Sequence, residues 1–322
     1  MLEIKFSCGE ALWSDASNQL RIKGYAVDFR WNAALAKIFG MEFVPLAGFK
    51  KGAICAVVPL LVDNRGRAAY CTAERGVALD SELWLAFKGA ILDIVREKGL
   101  RRLFLNSVDK LEFGKRSGWI CSPFQRLKID IKGKGFEDIL GRFSPSKRRG
   151  IKRHGDVYVW RKGGDIGRFY DMYLSTLGRR GGKPRFGLKD FEVLASECGD
   201  LVEFRELFTE SGDFAGSAMN LVSGGSVTVY YAFAHPKFFK MRASEALYAN
   251  IIKEAISNGL DLVDLGPSSP GDGTYEFKLE LGAEPFTYYS YSLYFIRSAY
   301  LAALLFEFAK KGKNIISRKH LA

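Results

Sequence analysis

The sequence predicts an α/β protein built of two tandem mixed-sheet units and a C-terminal helix, on three observations. The first is a repeat: AFKGAILDIVREKGLRRLFLN (86–106) aligns without a gap with ALYANIIKEAISNGLDLVDLG (246–266), at an offset of 160 residues. Each copy is a long amphipathic helix, then Gly-Leu, then a strand, the pattern of an αβ unit packed on a central sheet. The second is length, since 322 residues are long for one domain and natural for two. The third is composition: 48% hydrophobic and 26% charged is ordinary globular usage, with enough apolar material for two cores.

In chain order, a helix is expected over 31–39, then strands over 43–49 and 53–62, joined at Lys50, Lys51 and Gly52. Asn64, Arg65 and Gly66 make the next turn. Asp80 or Ser81 caps a long helix through Lys98, with Leu83, Phe87, Ala90, Ile91, Ile94 and Val95 on one face, and Gly99 ends it. Leu103, Phe104 and Leu105 follow as a buried strand. Lys132-Gly133-Lys134-Gly135 marks the expected boundary between units 1–134 and 135–296. The second unit reads as helices over 136–140, 145–154, 166–177 and 188–198, then strands over 201–208, 214–222 and 227–234. Its turn Ser223-Gly224-Gly225-Ser226 makes the last two strands antiparallel neighbours.

The stretch 292–309 is mostly apolar, but Arg297 and Glu307 interrupt it and a membrane span needs ~20 apolar residues. It is read as a helix within a C-terminal segment, 297–322, and no transmembrane segment is expected. Lys310, Lys311, Lys313, Arg318 and Lys319 follow with no acid among them, a tail that either frays in solvent or touches an anionic membrane surface. The five cysteines are scattered, with no C-x-x-C pair, so neither a disulfide framework nor a zinc site is expected. MLEIKFSCGE has no apolar core of signal-peptide length, and a cytoplasmic setting is expected, with or without membrane association. The net charge of +12 favours anionic company: phosphorylated substrates, nucleic acid or an anionic membrane.

Residues 260–294 carry most of the functional information. LDLVDL is a strand, and the turn cluster Gly266-Pro267-Ser268-Ser269-Pro270-Gly271-Asp272-Gly273 comes after it. Thr274 then caps a short helix bearing Tyr275, Phe277, Lys278 and Leu281, stopped by Gly282, and a strand of alternating aromatics runs over 286–294. The run Ser269-x-x-x-Gly273-Thr274-Tyr275-x-Phe277-Lys278-x-x-x-Gly282-Ala283-Glu284-Pro285 resembles the C-terminal signature of the FemAB-like acyltransferases, a branch of the GNAT superfamily. SPSKRRGIKRHG (144–155) is similar to the basic helix that opens that family's second domain, and GRRGGKPRFGLKDFEVL (178–194) to the loop and helix after it. The resemblance implies two tandem GNAT-like folds and transfer of an acyl or aminoacyl group onto an amine. It also implies that Lys278, the lysine of a Phe-Lys pair, stabilises negative charge on the reacting carbonyl. Tyr275 and Asp272, close to it in the same stretch, complete the expected catalytic set.

Other chemistries are discounted, because H-E-x-x-H, G-x-S-x-G and the P-loop motif are absent. Ser144 and Pro145 read as N-cap and N1 of the basic helix, which puts Lys147 and Arg148 in its first turn, where cations oppose the helix dipole. Lys147, Arg148, Arg149 and Lys152 are therefore expected to hold an anionic acceptor, alongside Arg185, Tyr231 and Phe277. Tyr230, Tyr231 and Tyr275 serve equally as core or as pocket wall. Asp264, Asp272 and Glu276 are the carboxylates nearest the signature, and the sequence does not choose a general base among them.

An acetyl-CoA-dependent GNAT grips pyrophosphate with a glycine-rich turn. HPKFFKMRASEA (235–246) stands at that place without a glycine, leaving Lys240 and Arg242 as the candidate donor-binding cations. No tightly bound cofactor is expected; the co-substrate is an acyl-CoA or an aminoacyl-tRNA. The competing reading is a non-catalytic basic module that binds nucleic acid or an anionic membrane surface.

Overall fold

The computed structural model describes residues 2–5, 8–13, 24–51, 53–71, 76–113 and 118–306. The expected turn at Gly52 and the basic tail 310–319 lie outside them.

Twelve strands among the described residues form one mixed sheet. They are β1 (Leu2–Lys5), β2 (Glu42–Lys50), β3 (Ala53–Asp63), β4 (Ala68–Cys71), β5 (Arg102–Ser107) and β6 (Gly118–Asp130) in the first half. The second half supplies β7 (Tyr158–Lys162), β8 (Val202–Thr209), β9 (Phe214–Ser223), β10 (Ser226–Ala234), β11 (Leu262–Pro267) and β12 (Glu284–Tyr294). The helices are α1 (Phe29–Phe39), α2 (Ser81–Glu97), α3 (Phe136–Arg142), α4 (Pro145–His154), α5 (Ile166–Arg179), α6 (Leu188–Cys198), α7 (Ala243–Ser257) and α8 (Gly273–Glu280).

The order β1-β2-β3-β4-β5-β12-β6-β11-β10-β9-β8-β7 has an internal symmetry. In each half a four-strand antiparallel run ends beside a parallel strand delivered by a long helix: β4 beside β5 after α2, and β10 beside β11 after α7. The two sequence repeats thus occupy equivalent places. The last strands cross over at the centre, where β12 lies between β5 and β6, and β6 between β12 and β11. Each half is completed by the other's final strand.

Three large cores follow. The amphipathic face of α2 packs Phe87, Ile91 and Ile94 on β2–β5 and β12. Leu127 and Ile129 of β6 join α3, α4 and α7 on one face of the second half. The other face carries α5 and α6, and α1 from the first half joins them with Trp31 and Leu35. The Arg30 guanidinium meets Asp200 at 2.6 Å and the Lys37 ammonium meets Glu197, which tie α1 to that face.

Capping explains the helix starts. Asp80, not Ser81, caps α2, its carboxylate accepting from the Leu83 amide at 2.7 Å. Ser144 Oγ accepts from the Lys147 amide at 3.4 Å, and Pro145 follows at N1 as expected. The short helix departs from expectation: α8 begins at Gly273 with Asp272 at the N-cap, and Thr274 already lies inside it. Gly282, at φ +72°, ends that turn, with Arg142 Cβ 2.7 Å from where a Cβ would stand, so a side chain there needs both strain and displacement.

Candidate active site

β10 and β11 pair in parallel only at Ser226↔Leu262, Val227↔Val263 and Thr228↔Asp264. Beyond Thr228 the ladder with β9 shifts register between Val229 and Tyr231, a bulge that bends β10. Gly266, at φ +78°, turns β11 in turn, and the two strands splay apart. A cavity of about 150 Å³ occupies the splay, walled by Thr228, Val229, Tyr231, Gly266, Pro267 and Arg185.

Two larger spaces adjoin it on the same sheet face. One, of about 440 Å³, shares Tyr25, Arg126 and Thr228 with the splay and adds Lys128, Asp264, Phe286 and the segment 76–80 of the first half. The other, of about 450 Å³, shares Arg185 and Pro267 and adds Ser268, Ser269, Asp272 and Tyr288. The result is one groove with the splay at its middle, long enough for two reactants to approach from opposite sides.

At the groove floor, Arg126 Nε lies 2.9 Å from Asp264 Oδ2, with both side chains buried. Asp264 Oδ1 also accepts from the Gly266 amide at 2.8 Å, so the carboxylate holds the turn that opens the splay. Burial opposes the Arg126 charge, but Tyr25 and Asp264 more than offset it and hold its pKa above the ordinary arginine value. Beside it, Lys128 Nζ sits 3.6 Å from the centre of the Phe286 ring. Burial lowers the Lys128 pKa, with Arg126 adding to the effect and Asp264 opposing it. Burial also pushes the Cys71 thiol up, and the Cys198 thiol up to about 12, so neither offers a thiolate near neutral pH.

The signature loop is clamped from three sides. The Lys278 ammonium, 5% exposed, donates to Ser268 Oγ at 2.8 Å and to the carbonyls of Gly266 and Pro267 at 3.3 Å each. Ser268 also donates its amide to the Gln125 carbonyl at 3.1 Å, and the Tyr275 hydroxyl reaches Gln125 Oε1 at 2.7 Å. Lys278 and Tyr275 therefore lie behind the loop, fixing its path, while Asp272 lies exposed on the groove wall. Tyr231 lines the splay and packs on Tyr173 and Phe233, both wall and core at once. Arg185 lines two of the spaces, its guanidinium over the Phe39 ring at 5.3 Å.

The remaining expected residues gather elsewhere. Lys147 is turned inward: its Nζ lies 2.9 Å from Glu245 Oε1, 3.4 Å from Glu280 Oε2 and 4.5 Å from the centre of the Phe277 ring. Phe277 packs on Tyr248 as core, not in the groove. Arg242 Nη1 bonds the same Glu245 at 3.1 Å. The dipole conflict expected to recruit an external anion to α4 is thus answered by the protein's own carboxylates. Glu245 also stands in the first turn of α7, where an incoming phosphate would otherwise meet helix amides. Arg148 donates to the Gly141 carbonyl at 3.2 Å, which leaves Arg149 and Lys152 of α4, with Lys240 of the β10–α7 turn, as exposed cations. The sequence reading missed Tyr25, Arg126, Lys128 and Thr228 in the groove.

Known proteins share the fold. The family described as acetyltransferase (GNAT) domain matches residues 145–279, from α4 through α8. No curated protein sequence matches the chain significantly. Among solved structures, FemX superposes with a TM-score of 0.69 at 13% identity, over 89% of this chain and 96% of that one. The C-terminal domain of a putative lysylphosphatidylglycerol synthetase from Agrobacterium fabrum superposes with a TM-score of 0.55 at 14% identity, over 92% and 96%. A tandem GNAT protein from the clavulanic acid biosynthesis pathway gives 0.52 at 10% identity, over 90% and 98%. At such identities the likeness is one of fold. Residues 145–279 match the acetyltransferase (GNAT) domain family, and the chain as a whole shares the fold of FemX and of the tandem GNAT protein.

Proposed function

We propose that the protein joins an activated acyl or aminoacyl donor to the amine of an anionic acceptor, with the reacting carbonyl held in the splay between β10 and β11. The observation that carries this reading is the splay cavity itself, opening on either side into spaces with unlike walls. The amine nitrogen attacks the donor carbonyl carbon, the C–N bond forms, the C–S bond of a thioester or C–O bond of an ester breaks, and the nitrogen gives up a proton. The halves 1–134 and 135–296 act as duplicate units whose residues together wall the groove. Lys278 contributes a buried positive charge close behind the loop, acting through its field. Glu245 in the first turn of α7, with no glycine in the turn before it, weakens a CoA-type pyrophosphate grip and favours an aminoacyl donor, such as an aminoacyl-tRNA, over acetyl-CoA.

Thr228→Phe tests the reading, because Thr228 faces both the splay and the larger space and the added ring has room to enter them. Single-turnover transfer is expected to fall by ~10²-fold with the melting temperature little changed, as for a displaced reacting group. Unaltered transfer would remove the splay from the chemistry. Binding to arbitrary RNA with a steep salt slope, and no transfer from either donor class, would instead establish the basic-module reading.

Arg148→Ala with Arg149→Ala probes α4 separately. Stability should change by no more than ~1 kcal/mol, since Arg149 is exposed and Arg148 gives up its bond to the Gly141 carbonyl, while affinity for a phosphorylated acceptor falls. Unchanged affinity would take α4 out of the binding surface.

A further inference from the structure

The segment 295–306 has an unusual surface. Among the described residues twelve large apolar side chains are exposed, and five of them, Phe295, Ile296, Leu301, Leu305 and Phe306, fall here. Residues 297–306 are helical, and Tyr300 seats that helix over the start of β6, its ring 2.7 Å from where a Cβ on Gly118 would stand. Ala299, Ala302 and Ala303 look back over an open space of about 570 Å³ along β5, β12 and β6. Leu301 and Leu305, 51% and 71% exposed, point away from the protein with Ser298, and no acid lies within the described helix. Such a face does not arise from core packing, since no described residue covers it.

We propose that this helix is an interfacial anchor that docks on an anionic lipid surface. Charge complementarity selects that occupant over a second copy of the chain. Beyond Glu307 the sequence carries Lys310, Lys311, Lys313, Arg318 and Lys319 with no further acid, and a copy with net charge +12 would bring a like-charged tail against it. Apolar side chains entering the acyl boundary, with cations at the headgroups, are the two signals that peripheral anchoring requires. The space beneath the helix shares Phe124 and Ser290 with the groove that leads to the splay, so docking would bring the groove's open end to the lipid.

Flotation of the full chain tests this without any donor or acceptor, so its outcome does not depend on the transferase reading. Vesicles of phosphatidylcholine with phosphatidylglycerol are expected to carry the protein, and vesicles of phosphatidylcholine alone to carry much less. Leu301→Ser with Leu305→Ser and Phe306→Ser should lower the bound fraction by at least ~10-fold with little change in the melting curve, because each of these side chains is more than half exposed. Lys310→Glu with Lys311→Glu and Lys313→Glu should weaken binding by ~10²-fold or more, with a loss that high salt imitates, since each cation near an anionic surface strengthens binding on the order of five-fold. Equal recovery on both vesicle types, or on neither, would overturn the proposal. So would a dimer in vesicle-free solution that the triple serine variant abolishes, for the face would then belong to a second copy.

Discussion

Lys278→Met should lose turnover and stability together, the first by ~10²-fold to 10³-fold if the buried charge serves the reacting carbonyl. From the sequence alone this substitution should leave folding intact, because methionine keeps most of the lysine's stem and its packing while removing the charge. The structure gives a different expectation. The ammonium is buried, and its loss strips a donor from Ser268 Oγ and the carbonyls of Gly266 and Pro267. A buried acceptor left without a partner costs ~1–3 kcal/mol, so urea denaturation should show a clear loss even though methionine fills much of the same volume. The two contributions separate kinetically. If the lysine only shapes the loop, KM for the donor rises and turnover recovers as the temperature is lowered; if its charge acts in the transition state, turnover stays low with KM little changed. Near-normal turnover with a true donor and acceptor would end the catalytic role proposed for this residue.

What the sequence revealed and concealed follows from range. The α2–β5 and α7–β11 units were legible because helix periodicity, the Gly-Leu stop and the apolar strand all lie within about twenty residues. The start of α4 was legible for the same reason, Ser144 and Pro145 being local signals. The crossing of β6 and β12 was not, because a strand's partners are set by the tertiary fold and not by its own alternation. Residues 118–130 were not read as a strand at all, with Pro123, Arg126 and Lys128 breaking their apolar pattern. The burial alternation shows why those two cations are there: Leu127 and Ile129 face one core while Arg126 and Lys128 face the groove. Lys147 misled the reading of α4 in the same way, because its neutralising partner Glu245 lies 98 residues away in the chain. The alternation of cation and aliphatic in Arg126-Leu127-Lys128-Ile129 was the one signal that could have exposed the groove floor, and Arg126's partner Asp264 was weighed only as a candidate base.

That pair gives the largest stability effect expected. Arg126→Met leaves the Asp264 carboxylate buried without its guanidinium, with only the Gly266 amide still donating to it. Breaking a buried pair from one side typically costs ~3–5 kcal/mol, because an uncompensated charge stays out of water. Replacing both partners removes the charge as well, so Arg126→Met with Asp264→Leu should recover most of the loss in stability. A double-mutant cycle by urea denaturation reads the difference as a coupling between two residues on adjacent strands. Transfer should not recover with the fold. In the double variant nothing holds the Gly266 amide where Asp264 Oδ1 held it, so the turn that opens β11 away from β10 loses its brace and the splay its shape. Two single-variant losses that simply add would show the pair to be uncoupled. A double variant restored in both stability and turnover would show that the Arg126–Asp264 pair supports the fold without shaping the site.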